Sequence, residues 1–107
     1  MQYNILMIGR VEPGNEAEIA KVFGEHDASE LPREIGARRR TLYSFNGLYL
    51  HLVESDIEFR AKLYENRLHP LFQETNRRMK DLITPYDPRY PTMRDAEATP
   101  FYSWSAG

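Results

Sequence analysis

The sequence predicts an α+β fold with the element order β-α-β-β-α-β, in which an antiparallel sheet carries both helices on one face. Three observations predict it. A run of apolar residues near the start is typical of a buried strand, an Asn46-Gly47 pair is the strongest two-residue hairpin signal, and two later segments have apolar residues at helical spacing.

The first half of the chain begins with a predicted strand at Tyr3–Val11. Its residues Ile5 to Ile8 are consecutive apolar side chains, so we expect both faces of this strand to be buried. A break at Pro13-Gly14-Asn15 precedes a helix predicted over Glu16–Asp27, and Ala28–Gly36 is predicted to be a loop because proline and glycine interrupt it.

The middle of the chain is predicted to form a hairpin followed by two helices. Strands are predicted at Ala37–Phe45 and Leu48–Ser55, on either side of the Asn-Gly turn. A helix is predicted from Asp56 to Leu68. Pro70 can open a second helix at its first turn, and the apolar spacing extends that helix to Ile83.

The last part is predicted to be a proline-rich coil over Thr84–Pro100 and a short final strand over Phe101–Ser105. A coil of this length is usually functional or interfacial. The whole pattern indicates one ferredoxin-like domain spanning residues 1–107, with the first and third strands in the centre. Because the helices cover one sheet face only, we expect the other face to form a dimer.

The composition excludes several classes of protein. The chain has 107 residues, a net charge of −2 and no cysteine, which excludes disulfides and thiolate chemistry and disfavours nucleic-acid binding. No apolar run is long enough to cross a membrane. The first residues lack the basic and apolar regions of a signal peptide, so a cytoplasmic protein is expected.

The hairpin turn fixes a register in which Arg40 lies opposite Val53 and Leu42 lies opposite His51. Arg40 and His51 are then diagonal neighbours on a face that also carries Tyr49, within reach of long side chains. An arginine and a histidine on a largely apolar face indicate something other than a plain solvated surface.

His26 and Asp27 end the first helix. His26 continues the apolar stripe and is expected to point inward. Asp27 opposes the helix dipole, which favours uptake of a proton and suits a general base, with His26 as its partner or as a second acid/base group. Each residue alone is also compatible with a capping or packing role.

Other candidates carry weaker signals. Trp104 lies on the predicted final strand, where a core or interface position and a contact with a ligand both remain open. The three histidines show no ligand-like pair spacing, so no metal site is predicted. The sequence contains no glycine-rich phosphate loop and no nucleophilic serine elbow.

The chain resembles the tetracenomycin-type aromatic polyketide cyclases, a family of small bacterial enzymes. Each matching stretch is weak alone, but their order and spacing together are specific. No match is found over residues 87–99. The matching stretches are Glu25-His26-Asp27, Glu30-Leu31-Pro32, Glu34-Ile35-Gly36, Arg38-Arg39-Arg40, Leu48-Tyr49, His51-Leu52, His69-Pro70-Leu71-Phe72, Thr84-Pro85-Tyr86 and Phe101-Tyr102-Ser103-Trp104.

The resemblance implies a ferredoxin-like homodimer that closes a ring on a polyketide without a cofactor, in association with a type II polyketide synthase. The family's active-site positions fall on His26, Asp27, Arg40 and His51, and all four residue types are retained.

This resemblance leads to a mechanism. We expect Asp27, with His26, to remove a carbon-bound proton, and Arg40 and His51 to stabilise the oxyanion while water is lost. Tyr49 and Trp104 are expected on the wall of the substrate pocket.

Three rival functions fit the same element order. One is a cofactor-free monooxygenase acting on aromatic polyketides, and another is a non-catalytic dimer that binds and steers a polyketide. An RNA-recognition module is disfavoured, because the third strand lacks the glycine-aromatic signature of that module.

Overall fold

The computed structural model describes residues 3–107. The expectation about the chain start rests partly on Met1 and Gln2, which lie outside these residues. A four-stranded antiparallel sheet of order β2-β3-β1-β4 carries the helices on one face, which confirms the ferredoxin-like α+β prediction and the central position of the first and third strands. The elements are β1 (Tyr3–Val11), α1 (Glu16–Asp27), α2 (Leu31–Ile35), β2 (Arg39–Phe45), β3 (Leu48–Ser55), α3 (Arg60–Glu65), α4 (Pro70–Met79) and β4 (Ile83–Pro85).

The β2–β3 hairpin has the register that its turn predicts. Asn46 has a φ of 49° and Gly47 a φ of 81°, so both turn residues adopt the left-handed conformation of a tight hairpin. Arg40 consequently pairs with Val53, and Leu42 pairs with His51. A two-residue signal therefore determines which side chains of two strands share a face.

The core lies between the helices and one face of the sheet. Two groups of buried apolar residues fill it, one under α2 and one under α1 and α4. Side chains alternate between the two sheet faces along the central strands. Those on the helix-covered face are buried in this layer, and they include Ile5, Val11, Tyr49, His51 and Val53. The groups are Ile5, Leu31, Ile35, Val53 and Phe59 in the first and Val11, Ile19, Val22, Tyr49 and Met79 in the second.

The opposite sheet face is apolar and carries no helix. Leu6, Leu50 and Leu52 alternate onto it and are half-buried, and Tyr43 and Phe45 are 53% and 66% exposed there. This surface, formed by β1, β2 and β3, is called the open sheet face below.

The predicted final strand at Phe101–Ser105 is wrong. The fourth strand is Ile83–Pro85, which pairs with Gly9–Val11 at the edge of β1, whereas Phe101 is 99% exposed and belongs to no strand. A proline can end an edge strand because its missing N–H is not needed on the solvent side. The prolines after Thr84 therefore do not exclude a strand, although the sequence pattern suggested a coil.

Several predicted bounds also change. The second predicted helix is shorter at both ends, because residues 56–59 and 66–68 are not helical. The third ends at Met79, so that Ile83 can join the sheet. The predicted loop at 28–36 contains α2. This short helix has Pro32 in its first turn and ends at Gly36, whose φ of 106° is left-handed. Strand β2 begins at Arg39, two residues later than predicted.

Among residues 3–107, the structure contains no helix with the length and apolar character needed to span a membrane.

Candidate active site

A cavity of about 1070 Å³ lies between the helix-covered face of the sheet and the helices. Its wall is largely apolar, but the side chains of His26, Arg40, Tyr49, His51 and Thr75 are part of it. The structure thus brings together four of the six site residues that the sequence predicted.

The end of β4 and the segment after it form another part of the wall. Residues 84–87 and 90–98 line the cavity. The segment then returns to β1, where the Ile8 amide donates to the Ala96 carbonyl at 2.9 Å and the Ala98 amide donates to the Leu6 carbonyl at 2.7 Å. The proline-rich segment is therefore part of the site.

Arg40 is a largely buried charged group in this site. Its side chain is only 15% exposed, and its Nε donates to both carboxylate oxygens of Asp27 at 3.0 Å, while Nη2 lies 3.0 Å from Oδ1. The guanidinium also lies over the Phe23 ring, 4.7 Å from its centroid. The Arg40 charge is therefore paired on one side and packed on the other, as a buried charge requires.

Asp27 is placed differently from the other predicted residues. It does not line the main cavity; it faces a smaller depression behind Arg40 that is also lined by Arg38 and Arg39. The Arg40 guanidinium lies between Asp27 and the cavity, so Asp27 can affect the cavity only through its neighbours.

His51 is a buried, neutral histidine. Its Nε2 lies 2.6 Å from Nη1 of Arg40, its Nδ1 lies 3.1 Å from the hydroxyl of Tyr49, and the edge of its ring faces Phe23 with centroids 5.0 Å apart. Burial, and then the charge of Arg40, lower the pKa of His51 to about 3.

His26 contacts Thr75 through one of its two ring nitrogens. When the Thr75 hydroxyl donates to the Leu71 carbonyl, 3.1 Å away, its oxygen accepts the proton of His26 Nδ1 at their 2.8 Å contact. Nε2 of His26 is then the unprotonated nitrogen, and it has no hydrogen-bond partner in the part of the chain that the structure describes. Burial and the Arg40 charge lower the pKa of His26, while Asp27 raises it.

Trp104 does not fit its predicted place. It is 75% exposed and is absent from the wall of the cavity, because the strand on which it was expected does not form.

Two residues of the site were not predicted. Thr75 lies on the inner stripe of α4, four residues after Leu71 and four before Met79, so helical spacing could have identified it. Phe23 lies on the same side of α1 as His26, and its ring contacts Arg40, His26 and His51.

No group of three or more potential metal ligands occurs among the residues that the structure describes. The predicted lack of a metal site stays a prediction.

The fold and the cavity together define a class of protein. One apolar cavity holds a buried guanidinium and an imidazole with a nitrogen that has no hydrogen-bond partner among the described residues. Acid/base chemistry on an apolar carbonyl compound needs groups of these two kinds.

The chain belongs to the polyketide synthesis cyclase family, whose model matches residues 3–105. It is similar to tetracenomycin F2 cyclase of Streptomyces glaucescens, with 46% identity over 106 residues, which cover 99% of this chain and 97% of that protein. It is 38% identical to an uncharacterized protein of Streptomyces coelicolor over 104 residues, 95% of this chain and 94% of that one. It is therefore a polyketide cyclase by family.

Solved structures agree with this assignment. The structure of tetracenomycin F2 cyclase, described as a type-II polyketide cyclase, superposes with a TM-score of 0.92 at 46% identity over 98% of this chain and 99% of that one. A Nitrosomonas europaea protein assigned to the antibiotic biosynthesis monooxygenases has a TM-score of 0.57 at 9% identity, covering 77% of this chain and 79% of its own. This second likeness shows the fold alone.

The low pKa of His51 predicts how stability depends on pH. Unfolded His51 takes up a proton near its ordinary pKa of 6.5, whereas the folded residue does so only near 3. Between these values the unfolded state binds more protons, so the free energy of unfolding falls as the pH falls, by at most about 1.4 kcal/mol per pH unit from this residue.

We expect urea titrations to show that the free energies of unfolding of the wild type and of His51→Gln change with pH in parallel above about pH 7. Below that value the wild type should lose stability more steeply. Parallel curves down to about pH 4 would show that His51 titrates normally in the folded protein.

Proposed function

We propose that the protein catalyses an aldol-type ring closure on a partly cyclised aromatic polyketide and then removes water, without a cofactor. The observation that carries this proposal is that His26 lines the same cavity as the buried Arg40 guanidinium, with its Nδ1 held by Thr75 and its Nε2 without a hydrogen-bond partner among the described residues. The similarity to tetracenomycin F2 cyclase supports tetracenomycin F2, or a polyketide of similar size, as the substrate.

His26 is the base in this proposal. A carbon between two carbonyls carries an acidic proton, and Nε2 of His26 removes it to give an enolate. The enolate carbon then bonds to a carbonyl carbon further along the chain, and the carbonyl oxygen becomes an alkoxide. Protonation of that oxygen and loss of a second carbon-bound proton release water and leave an aromatic double bond.

Arg40 stabilises the negative oxygen. A guanidinium has five N–H groups, and three of those of Arg40 are used by Asp27 and His51. One N–H on each terminal nitrogen remains for a ligand in the cavity that Arg40 lines. Donors of this kind contribute on the order of 10²-fold to the rate.

Asp27 acts through its neighbours rather than as the base. Its carboxylate fixes Arg40, and its charge raises the pKa of His26, which favours the imidazolium that forms after proton transfer. This division assigns the two roles that the sequence left open between His26 and Asp27. Trp104 has no role in the cavity of a single chain.

An assay by chromatography and mass spectrometry tests the reaction. Protein dialysed against a chelator should convert tetracenomycin F2 to a product lighter by one water without oxygen uptake. His26→Gln should lower kcat by about 10²-fold or more with little change in KM, since it removes the base. His69→Asn is the matched control, because it changes a histidine outside the cavity and retains a side chain that can cap α4.

Equal kcat for His26→Gln and the wild type would contradict the role of His26. Binding of tetracenomycin F2 without any change in mass would favour the polyketide-steering function. Oxygen uptake during turnover would instead identify a monooxygenase.

We also propose a cytoplasmic homodimer that associates with a type II polyketide synthase. The open sheet face supports the dimer, because Leu6, Leu50 and Leu52 form an apolar surface beside the exposed Tyr43 and Phe45. Apolar patches of this kind on small proteins mark interaction sites.

Sedimentation velocity tests the dimer. The wild type should sediment as a dimer, and Leu50→Glu should sediment as a monomer because it places a charge in the interface. Leu68→Glu should remain a dimer, since Leu68 is 71% exposed and lies outside the sheet. A monomeric wild type, or a dimeric Leu50→Glu variant that circular dichroism shows to be folded, would contradict this interface.

A further inference from the structure

The hydroxyl of Tyr49 lies at the end of a hydrogen-bonded chain that starts at Arg40 and passes through His51. Arg40 Nη1 and His51 Nε2 are 2.6 Å apart, and a guanidinium can only donate. Nε2 of His51 must therefore accept, and it carries no proton.

The direction of the next bond follows from this one. A neutral imidazole has one N–H, so the proton of His51 is on Nδ1. At the 3.1 Å contact between Nδ1 and Tyr49, the phenol oxygen accepts this proton. The O–H of Tyr49 is thus not used by His51, and residues 3–107 offer it no other acceptor at hydrogen-bond distance.

The surrounding core keeps Tyr49 in this position. Tyr49 is 8% exposed and packs among Val11 and Met79. Gly9 is its partner across the sheet, and a Cβ on Gly9 would lie 3.7 Å from the Tyr49 ring and 2.9 Å from the Thr84 carbonyl oxygen. The absence of a side chain at Gly9 therefore lets the backbone of β4 approach β1 closely beside the Tyr49 ring.

The electrostatics keep the phenol protonated. Burial raises the pKa of Tyr49 well above its usual value, and the charge of Arg40 opposes this effect only in part. Polarisation along the chain from Arg40 through His51 makes the Tyr49 O–H a stronger donor.

We infer that the Tyr49 hydroxyl donates a hydrogen bond to the substrate oxygen that becomes negative during ring closure, and that His51 positions this hydroxyl. The inference rests on the proposed function and adds a catalytic residue to it. Tyr49 lines the cavity, as this role requires. No bond of the phenol is broken, so the step needs no additional reactant. His51, with both ring nitrogens engaged, acts through Tyr49.

Tyr49→Phe tests this inference because it removes the hydroxyl and retains the ring. With tetracenomycin F2 as substrate, we expect kcat to fall by about 10²-fold and KM to change by less than about 3-fold, as for loss of one oxyanion donor. Tyr102→Phe is the control, since Tyr102 is 78% exposed and lies outside the cavity. An active Tyr49→Phe enzyme would overturn the inference and leave the proposed function intact.

Fluorinated tyrosine at position 49 separates donation to the substrate from a structural role. Fluorine makes the phenol a better donor and a weaker acceptor. If Tyr49 donates to the substrate, kcat should increase as the phenol becomes more acidic. If it only accepts from His51, kcat should decrease, which would overturn the inference.

Nitrogen-15 NMR of the histidine rings gives a test that does not depend on turnover. We expect His51 to carry its proton on Nδ1 and to have a bare Nε2 at neutral pH. A proton on Nε2 is incompatible with a hydrogen bond from Arg40 to this nitrogen and would overturn the inference. Lack of turnover by the wild type, together with a proton on Nδ1, would contradict the proposed function and with it the catalytic role of Tyr49, but not the direction of the hydrogen-bonded chain.

Discussion

The candidate site depends on one constraint, the burial of the Arg40 guanidinium. Its 15% exposed side chain must be paired, and Asp27, His51 and Phe23 supply its contacts. These contacts fix the end of α1 against β2 and determine which nitrogen of His51 is protonated. Replacing Asp27 would leave the buried charge of Arg40 uncompensated, so the geometry of the site depends on this ion pair.

Much of the fold and part of the site are determined locally, which is why the sequence predicts them. The Asn46-Gly47 turn sets the register, and the register alone places Arg40 and His51 on one face with Tyr49. Helical spacing alone turns His26 inward at the end of α1. The bounds of β1, α1 and β3 follow from equally local signals and are confirmed.

The rest depends on contacts between distant segments, which a sequence pattern does not contain. Strand β4 exists because the edge of β1 accepts residues 83–85, and its proline content suggested a coil instead. The position of Asp27 behind Arg40 depends on how α1 packs on β2. Likewise, the proton position on His26 depends on Thr75, which is 49 residues away. Proton positions of this kind decide which residue can act as base and which as donor.

The central claim is that Asp27 is not the base and acts on catalysis chiefly by fixing Arg40, and a double-mutant cycle on kcat/KM tests it most directly. The variants are Asp27→Asn, Arg40→Gln and the double variant, each checked by circular dichroism for its fold. If the claim holds, Asp27→Asn lowers kcat/KM by about 10-fold or more in the wild type but changes it by less than about 2-fold when Arg40 is already replaced. An equal loss in both backgrounds would show that Asp27 acts independently, as a base would, and would contradict the account.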